Sequence, residues 1–180
     1  MHERFGRVLV ANRGEIALRV IRACRDLGIE TVIAFSEADR DSLPVRTADS
    51  AVCIGPGPAG KSYLSIPRVL TVASGARCDA VHPGYGFLAE NARFAAECER
   101  HGIVFVGPRS ETIALLGDKI AARRTAVEAG VPVIPGSHSN VEDAGAARAL
   151  GDHLGYPLLV KSSGGGGGKG LRRVDAPSDL

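Results

Sequence analysis

Two lysines and five glycines near the end of the chain have the types and spacing to hold an anion. In Leu159-Val-Lys-Ser-Ser-Gly-Gly-Gly-Gly-Gly-Lys-Gly-Leu171, Gly164, Gly165, Gly166, Gly167 and Gly168 form an unbroken run, with Lys161 before it and Lys169 after it. Glycine loses more conformational entropy on ordering than any other residue, so an ordered run needs a reason to lack side chains. One reason is chemical: a tip without Cβ atoms lets successive backbone N–H groups close over a phosphate, with Lys161 at its base and Lys169 on its rim. The competing reading is a flexible tether. The flanks favour the first. Tyr156-Pro-Leu-Leu-Val-Lys161 reads as a short strand opened by proline, and Leu171-Arg-Arg-Val174 alternates as a second strand before Pro177 stops it. Strand, glycine tip and strand make a hairpin, and the expected chemistry is a phosphate lid.

Two other phosphate motifs compete with it. Gly165-x-Gly167-x-x-Gly170 meets the dinucleotide pattern, as any glycine run does, but a strand follows it where that motif needs a helix. Gly55-Pro-Gly-Pro-Ala-Gly-Lys61-Ser62 meets the full P-loop pattern and follows the strand-like Ala51-Val-Cys-Ile54. Against it, Pro56 and Pro58 have no N–H to offer a phosphate. A P-loop also needs a helix at Lys61, whereas Ser65 as N-cap and Pro67 in a first turn place the helix start later. A P-loop NTPase remains the weakest of the functional readings, below an ordinary proline-rich turn.

These motifs sit in a chain of 180 residues, 44% hydrophobic and 23% charged, which is enough to bury a core. Its 22 basic and 20 acidic side chains leave a net charge of +2 with no long block of one sign. Nothing in that balance points to nucleic acid or a membrane surface. No run reaches the roughly 18 apolar residues of a membrane span, and the first seven residues do not read as a signal peptide. Cys24, Cys53, Cys78 and Cys98 lie far apart with no C-x-x-C pair, which suits reduced core thiols in the cytoplasm better than zinc or disulfides.

The elements that must position the motifs follow from periodicity. Arg7–Ala11 is an apolar strand, Asn12-Arg-Gly14 turns it into a helix over Glu15–Leu27, and Gly28 stops that helix. A strand over Thr31–Phe35, a polar loop over Ser36–Arg46, a strand over Ala51–Ile54 and a helix over Ile66–Ser74 come next. A strand over Asp79–His82, a helix over Ala89–His101 and a strand over Ile103–Val106 complete the pattern. Alternating strands and helices imply a parallel sheet with helices on both faces, because parallel neighbours need crossovers. After Ser110 the pattern turns helical over Glu111–Leu116 and Lys119–Ala129. Val131–Gly136 must be extended because of its two prolines, and Glu142–Leu154 is helical again. A domain boundary is expected near Gly117, and the segment after it is short for an independent domain.

Four segments taken together resemble a known family. Val10-Ala-Asn-Arg-Gly-Glu-Ile-Ala-Leu-Arg19, His82-Pro-Gly-Tyr-Gly-Phe-Leu-Ala-Glu-Asn91, Leu116-Gly-Asp-Lys119 and Lys161–Gly170 are similar, in the same order, to segments of biotin carboxylases of acetyl-CoA, propionyl-CoA and related carboxylases. The resemblance runs from end to end of the chain. It implies a Rossmann-like parallel-sheet preATP-grasp domain over residues 1–117, followed by the beginning of an ATP-grasp domain over 118–180 with a glycine-rich lid. It implies that Lys119, Lys161 and Gly164–Gly168 bind ATP and that Tyr85 and Gly86 lie near biotin. It assigns His82 no role, and Arg13, Glu15 and Glu90 are family-like without a chemistry readable from this sequence.

The implied reaction is ATP-dependent carboxylation of carrier-bound biotin with bicarbonate, through carboxyphosphate. ATP, Mg²⁺ and biotin are the implied cofactors, with a biotin carboxyl carrier, a carboxyltransferase component and a second copy of the chain as partners. The family's adenine-side, magnesium, bicarbonate and catalytic residues are expected beyond residue 180, with no metal ligand in this chain. An N-terminal piece, inactive alone or paired with a partner as a split chain, is therefore the alternative to a complete enzyme.

Overall fold

The computed structural model describes residues 5–137, 139–161 and 170–180. The chain folds as two compact units, one ending at Ala114 and the other beginning at Leu115.

The first unit is built on a five-stranded parallel sheet. Its elements are β1 (Arg7–Val10), α1 (Gly14–Asp26), β2 (Glu30–Ser36), α2 (Leu43–Thr47), β3 (Ser50–Gly55), α3 (Ile66–Gly75), β4 (Ala80–His82), α4 (Ala92–Arg100) and β5 (Val104–Phe105). The strand order is β3-β2-β1-β4-β5. Val8 of β1 lies beside Thr31 on one side and Ala80 on the other, and Val10 lies beside Ile33 and His82.

Period-two alternation along β1 sorts the core into two layers. Val8 and Val10 pack with Ile33, Ala80 and the α1 residues Ala17, Val20, Ile21 and Cys24. Leu9 and Ala11 pack on the opposite face with Val32, Ala34, Val69, Leu70 and Ala73 of α3, and Phe94, Ala95 and Cys98 of α4. Both faces are covered, so the expected helices on either side of a parallel sheet are what the chain forms. Burial on the α3–α4 side includes two aromatic pairs. Tyr63 and Phe87 stack with centroids 4.8 Å apart, and Phe94 meets Phe105 edge-on at 5.8 Å.

Three expectations need correction. The polar segment after β2 is not a plain loop: Glu37–Asp39 forms a 3₁₀ turn, and Pro44 in the first turn nucleates α2, where its missing N–H costs nothing. The helix expected from Ala89 begins only at Ala92, because the Asn91 side chain accepts from the Phe94 N–H at 2.9 Å and sets the N-cap there. Cys53 is exposed on the edge strand β3, while Cys24, Cys78 and Cys98 are buried. Burial pushes the Cys78 thiol up to about 11 and Cys98 up to about 12, so these two are packing groups rather than nucleophiles.

The division between the units falls inside α5 (Ser110–Gly117). The second unit holds α6 (Lys119–Glu128), α7 (Ala144–Leu154) and an antiparallel hairpin of β6 (Leu158–Lys161) with β7 (Leu171–Val174). Both helices are capped by aspartate. Asp118 accepts from the N–H groups of Ile120 and Ala121 at 3.0 and 2.7 Å, and Asp143 from that of Ala146 at 2.8 Å. Leu158 pairs with Val174, and Lys161 with Leu171. Val174 is 1% exposed and is the buried anchor of the hairpin.

Candidate functional site

In an open parallel sheet, ligands bind beyond the carboxyl ends of the strands where the strand order reverses. Here that point lies between β1 and β4, since the chain runs outward from β1 through β2 to β3 before returning to β4 on β1's other side. Two loops meet there: Ala11–Arg13 after β1, and Pro83–Phe87 after β4. The Ala11 N–H donates to the His82 carbonyl at 3.0 Å. Beyond it the buried Asn12 side chain donates from Nδ2 to the carbonyls of Pro83 at 2.7 Å and Tyr85 at 2.8 Å.

Tyr85 and Gly86 are exposed on this rim. The phenol of Tyr85 donates to Glu15 Oε2 at 2.9 Å, and Glu15 in turn faces Arg19 at 3.6 Å on the next turn of α1. That hydrogen bond to Glu15 raises the Tyr85 pKa, so the phenol stays protonated and serves as a donor rather than a base. His82 is half-buried, and burial lowers its pKa, leaving the ring neutral. Its Nδ1 accepts from the Gly84 N–H at 3.0 Å. The imidazole is thereby used to shape the loop.

A second cluster lies beside these loops. Asp39 accepts from Ser36 Oγ at 2.6 Å and from the Tyr63 hydroxyl at 2.7 Å, and Arg13 stands 3.6 Å away. The Arg13 guanidinium carbon is also 5.7 Å from the ring centroids of both Tyr63 and Phe87, within cation–π range. Burial pushes the Asp39 carboxyl up, but the bonds from Ser36 and Tyr63 and the Arg13 charge outweigh it and hold the pKa below its ordinary value. Burial raises Tyr63 to about 12, so it remains a donor to Asp39.

A depressed folded-state carboxyl contributes stability above its unfolded pKa and loses it as pH falls through the folded pKa. In urea unfolding followed across the acid range, Asp39→Asn is expected to be less stable than wild type at neutral pH and to lose less on acidification. Parallel curves for the two proteins would contradict the network.

The other candidates from the sequence fall in the second unit. Lys119 is the first residue of α6, directly after its cap Asp118, and is exposed. Lys161 is the last residue of β6, exposed at the end of the hairpin ladder. Gly164–Gly168 and Lys169 lie outside the described residues. Strand β6, a four-residue antiparallel ladder and β7 do form on either side of them.

The P-loop reading fails on geometry. Ala59–Lys61 is a 3₁₀ turn, no helix opens at Lys61, and α3 begins at Ile66 after Ser65. Ser62, which would have to face a metal, is buried with its hydroxyl donating to the Pro58 carbonyl at 3.0 Å. Among the described residues no group of three or more His, Cys, Asp or Glu side chains is placed to hold a metal. No helix among them is long and apolar enough to cross a membrane.

Asn12, Asp39, Tyr63 and Phe87 take part without any signal in the sequence that marks them. Asn12 and Phe87 lie inside segments that carry the family resemblance, but nothing in the spacing shows that residues 71 to 73 positions apart touch. Tyr63 directly follows the misleading proline-glycine motif and has no pattern of its own.

The comparisons with known proteins follow the same division. Residues 4–113 match the biotin carboxylase N-terminal domain, and residues 118–180 match the ATP-binding domain of the carbamoyl-phosphate synthase L chain. A biotin carboxylase of Allochromatium vinosum is 53% identical over 97% of this chain. The chain spans 39% of that relative's length. The solved biotin carboxylase complex with β-γ-ATP from Campylobacter jejuni superposes with a TM-score of 0.94 at 44% identity, over 98% of this chain and 40% of that one. The biotin carboxylase domain dimer of Hydrogenobacter thermophilus 2-oxoglutarate carboxylase, solved with MgADP, ADP and bicarbonate, gives 0.93 at 46% identity over 99% and 39%. With the sheet, its switch-point loops and 110 of 180 residues in agreement with one domain model, the chain belongs to the biotin carboxylase N-terminal domain family.

Proposed function

We propose that this chain supplies the N-terminal part of a biotin carboxylase, which uses ATP to activate bicarbonate and transfers its carbon to a ring nitrogen of biotin on a carrier. The observation that carries the reading is the tandem match: a biotin carboxylase N-terminal domain at 4–113 followed directly by an ATP-binding domain at 118–180. In this reading residues 1–117 are the preATP-grasp domain and 118–180 open the ATP-grasp domain. Tyr85 and Gly86 form the biotin-proximal edge of the switch-point rim. Lys119, Lys161 and Gly164–Gly168 hold the phosphates.

Lys119 stands in the first turn of α6, where the helix N-terminus itself favours an anion, so a phosphate there would be attracted by both the helix dipole and the lysine charge. In this reading the rim offers biotin the phenol of Tyr85 and the exposed Gly86. Mg²⁺ would neutralise charge on the transferring phosphoryl group when bound. The wider assembly is an acyl-CoA carboxylase of fatty acid metabolism in the cytoplasm, with a carrier protein, a carboxyltransferase and a second copy of the chain. The relative solved as a dimer supports the last of these.

The test uses a chimera in which residues 1–180 replace the matching segment of the Allochromatium vinosum relative. ADP release from MgATP is measured with and without bicarbonate. The chimera is expected to be stimulated by bicarbonate, and the 180-residue chain alone is not. No stimulation in the chimera overturns the reading, and stimulation of the chain alone overturns the assignment of metal and bicarbonate ligands to sequence beyond residue 180.

A further inference from the structure

Asn12 is 4% exposed, and both of its amide protons are donated. Its Nδ2 donates to the carbonyls of Pro83 and Tyr85 at 2.7 and 2.8 Å, while Oδ1 accepts from the Arg13 N–H at 2.8 Å. Two of those bonds cross from the end of β1 to the loop after β4. That loop needs outside support, because its backbone is left-handed at Gly84 (φ 65°), Gly86 (φ 68°) and also at Phe87 (φ 41°), which has a Cβ and resists this conformation. Within the loop region the ties are the Gly84 N–H to His82 Nδ1 and the Ala89 N–H to the Gly86 carbonyl at 2.8 Å. Neither reaches the carbonyl of Tyr85.

The fit around the amide is close. A Cβ on Gly84 would stand 2.8 Å from Asn12 Nδ2 and 3.0 Å from Ile16, so the Asn12 amide can sit here only against glycine at 84. An aspartate at 12 would have the shape without the donors, and a glutamine would carry the amide one methylene too far into a space already filled.

We propose that Asn12 is a positioning residue for biotin: by donating both amide protons across the switch point it holds Pro83–Phe87 in the shape that presents Tyr85 and Gly86 to the ring. The inference rests on the reading of Tyr85 and Gly86 as biotin-proximal. It adds a role to a residue that does not itself reach the rim. The consequence is specific to one substrate, because ATP is assigned to the second unit.

The test pairs Asn12→Asp with Asn12→Ala. In the full 180-residue chain, amide exchange at Gly84 and Ala89 is expected to rise roughly tenfold in both variants while β2 amides keep wild-type protection, since a local opening leaves the sheet intact. In the chimera, KM for biotin rises about tenfold or more, as expected when the loop carbonyls lose their donors, while KM for ATP is unchanged. A pH series separates donor loss from packing loss. As pH falls, the Asn12→Asp carboxyl takes a proton and can again donate to one of the two carbonyls, so its deficit shrinks. The Asn12→Ala deficit stays constant relative to wild type. The other titratable groups on the segments meeting there, Arg13, Glu15, His82 and Tyr85, are common to wild type and Asn12→Ala and cancel in that ratio, which makes Asn12→Ala the reference for the Asn12→Asp series. Unchanged loop exchange, unchanged biotin KM with a loosened loop, or an Asn12→Asp deficit that ignores pH each overturns the proposal. If β2 also loses protection, Asn12 is a general structural residue and the proposal fails. An inactive wild-type chimera refutes the underlying reading instead, with the exchange result still reporting on the loop.

Discussion

Replacing Phe94 with alanine lowers the stability of the first unit by about 3–5 kcal/mol, the cost of emptying a buried aromatic site. Phe94 is 0% exposed, lies on α4 against the layer formed by Leu9, Val81 and Ile103, and meets Phe105 edge-on. Truncation removes the packing of a whole ring and an aromatic pair worth about 0.5–1.5 kcal/mol on its own. The site cannot easily collapse, because α4 is pinned at one end by the Asn91 cap and at the other by the Ile103 N–H donating to the Cys98 carbonyl at 3.0 Å. Urea unfolding followed by far-UV circular dichroism should show a lower midpoint at unchanged slope. A loss below about 1 kcal/mol would mean that the α4 layer repacks and that the sheet does not depend on it.

Lys161→Ala is expected to weaken nucleotide binding by roughly ten- to a hundredfold, which corresponds to one charge-assisted contact of about 1.5–3 kcal/mol. Lys61→Ala is expected to do almost nothing. Lys161 ends β6 at the mouth of the hairpin, whereas Lys61 is exposed in a 3₁₀ turn that leads into no helix. Calorimetric titration of ATP into the chimera and its two variants reads both affinities. A large loss from Lys61→Ala with Lys161→Ala unchanged would move the phosphate site to Gly55–Ser62 and remove the ATP-grasp assignment.

Much of the fold was legible because periodicity and punctuation agree locally. The short apolar run of β1, the apolar stripe Ile16, Val20, Cys24 in α1, and Gly28 at φ 70° after it all act over a few residues. The proline rule served as well at Pro56 and Pro58, where missing N–H groups argued against a P-loop that the backbone does not form. Local signals failed where a side chain makes the decision. Asn91 delays α4 by capping it, and the polar stretch after β2 hides a helix because its apolar residues are few. Cys53 reads as a core thiol until strand order places β3 at the edge of the sheet.

The candidate site divides in the same way. Lys119, Lys161, Tyr85 and Gly86 stand in short segments that can be read one at a time. The rim that carries Tyr85 exists only because β1 and β4 are neighbours, which brings Asn12 to Pro83 and Glu15 to Tyr85 across about 70 residues. Arg13, Asp39, Tyr63 and Phe87 come from four separate segments and converge for the same reason. Long-range pairing of this kind leaves no trace in spacing, so a single sequence shows the pieces of the rim but not their junction.

Transfer of bicarbonate carbon to biotin is the decisive readout of the proposed carboxylation. The chimera is supplied with labelled bicarbonate, MgATP and biotin, and the products are separated after methylation of the acid-labile carboxyl group. Label is expected on biotin only when ATP is present, and the Lys161→Ala chimera is expected to fix far less at limiting ATP. ATP hydrolysis with no label on biotin, or label that appears in carbamoyl phosphate when ammonia is supplied, would rule out biotin carboxylation by this member of the family.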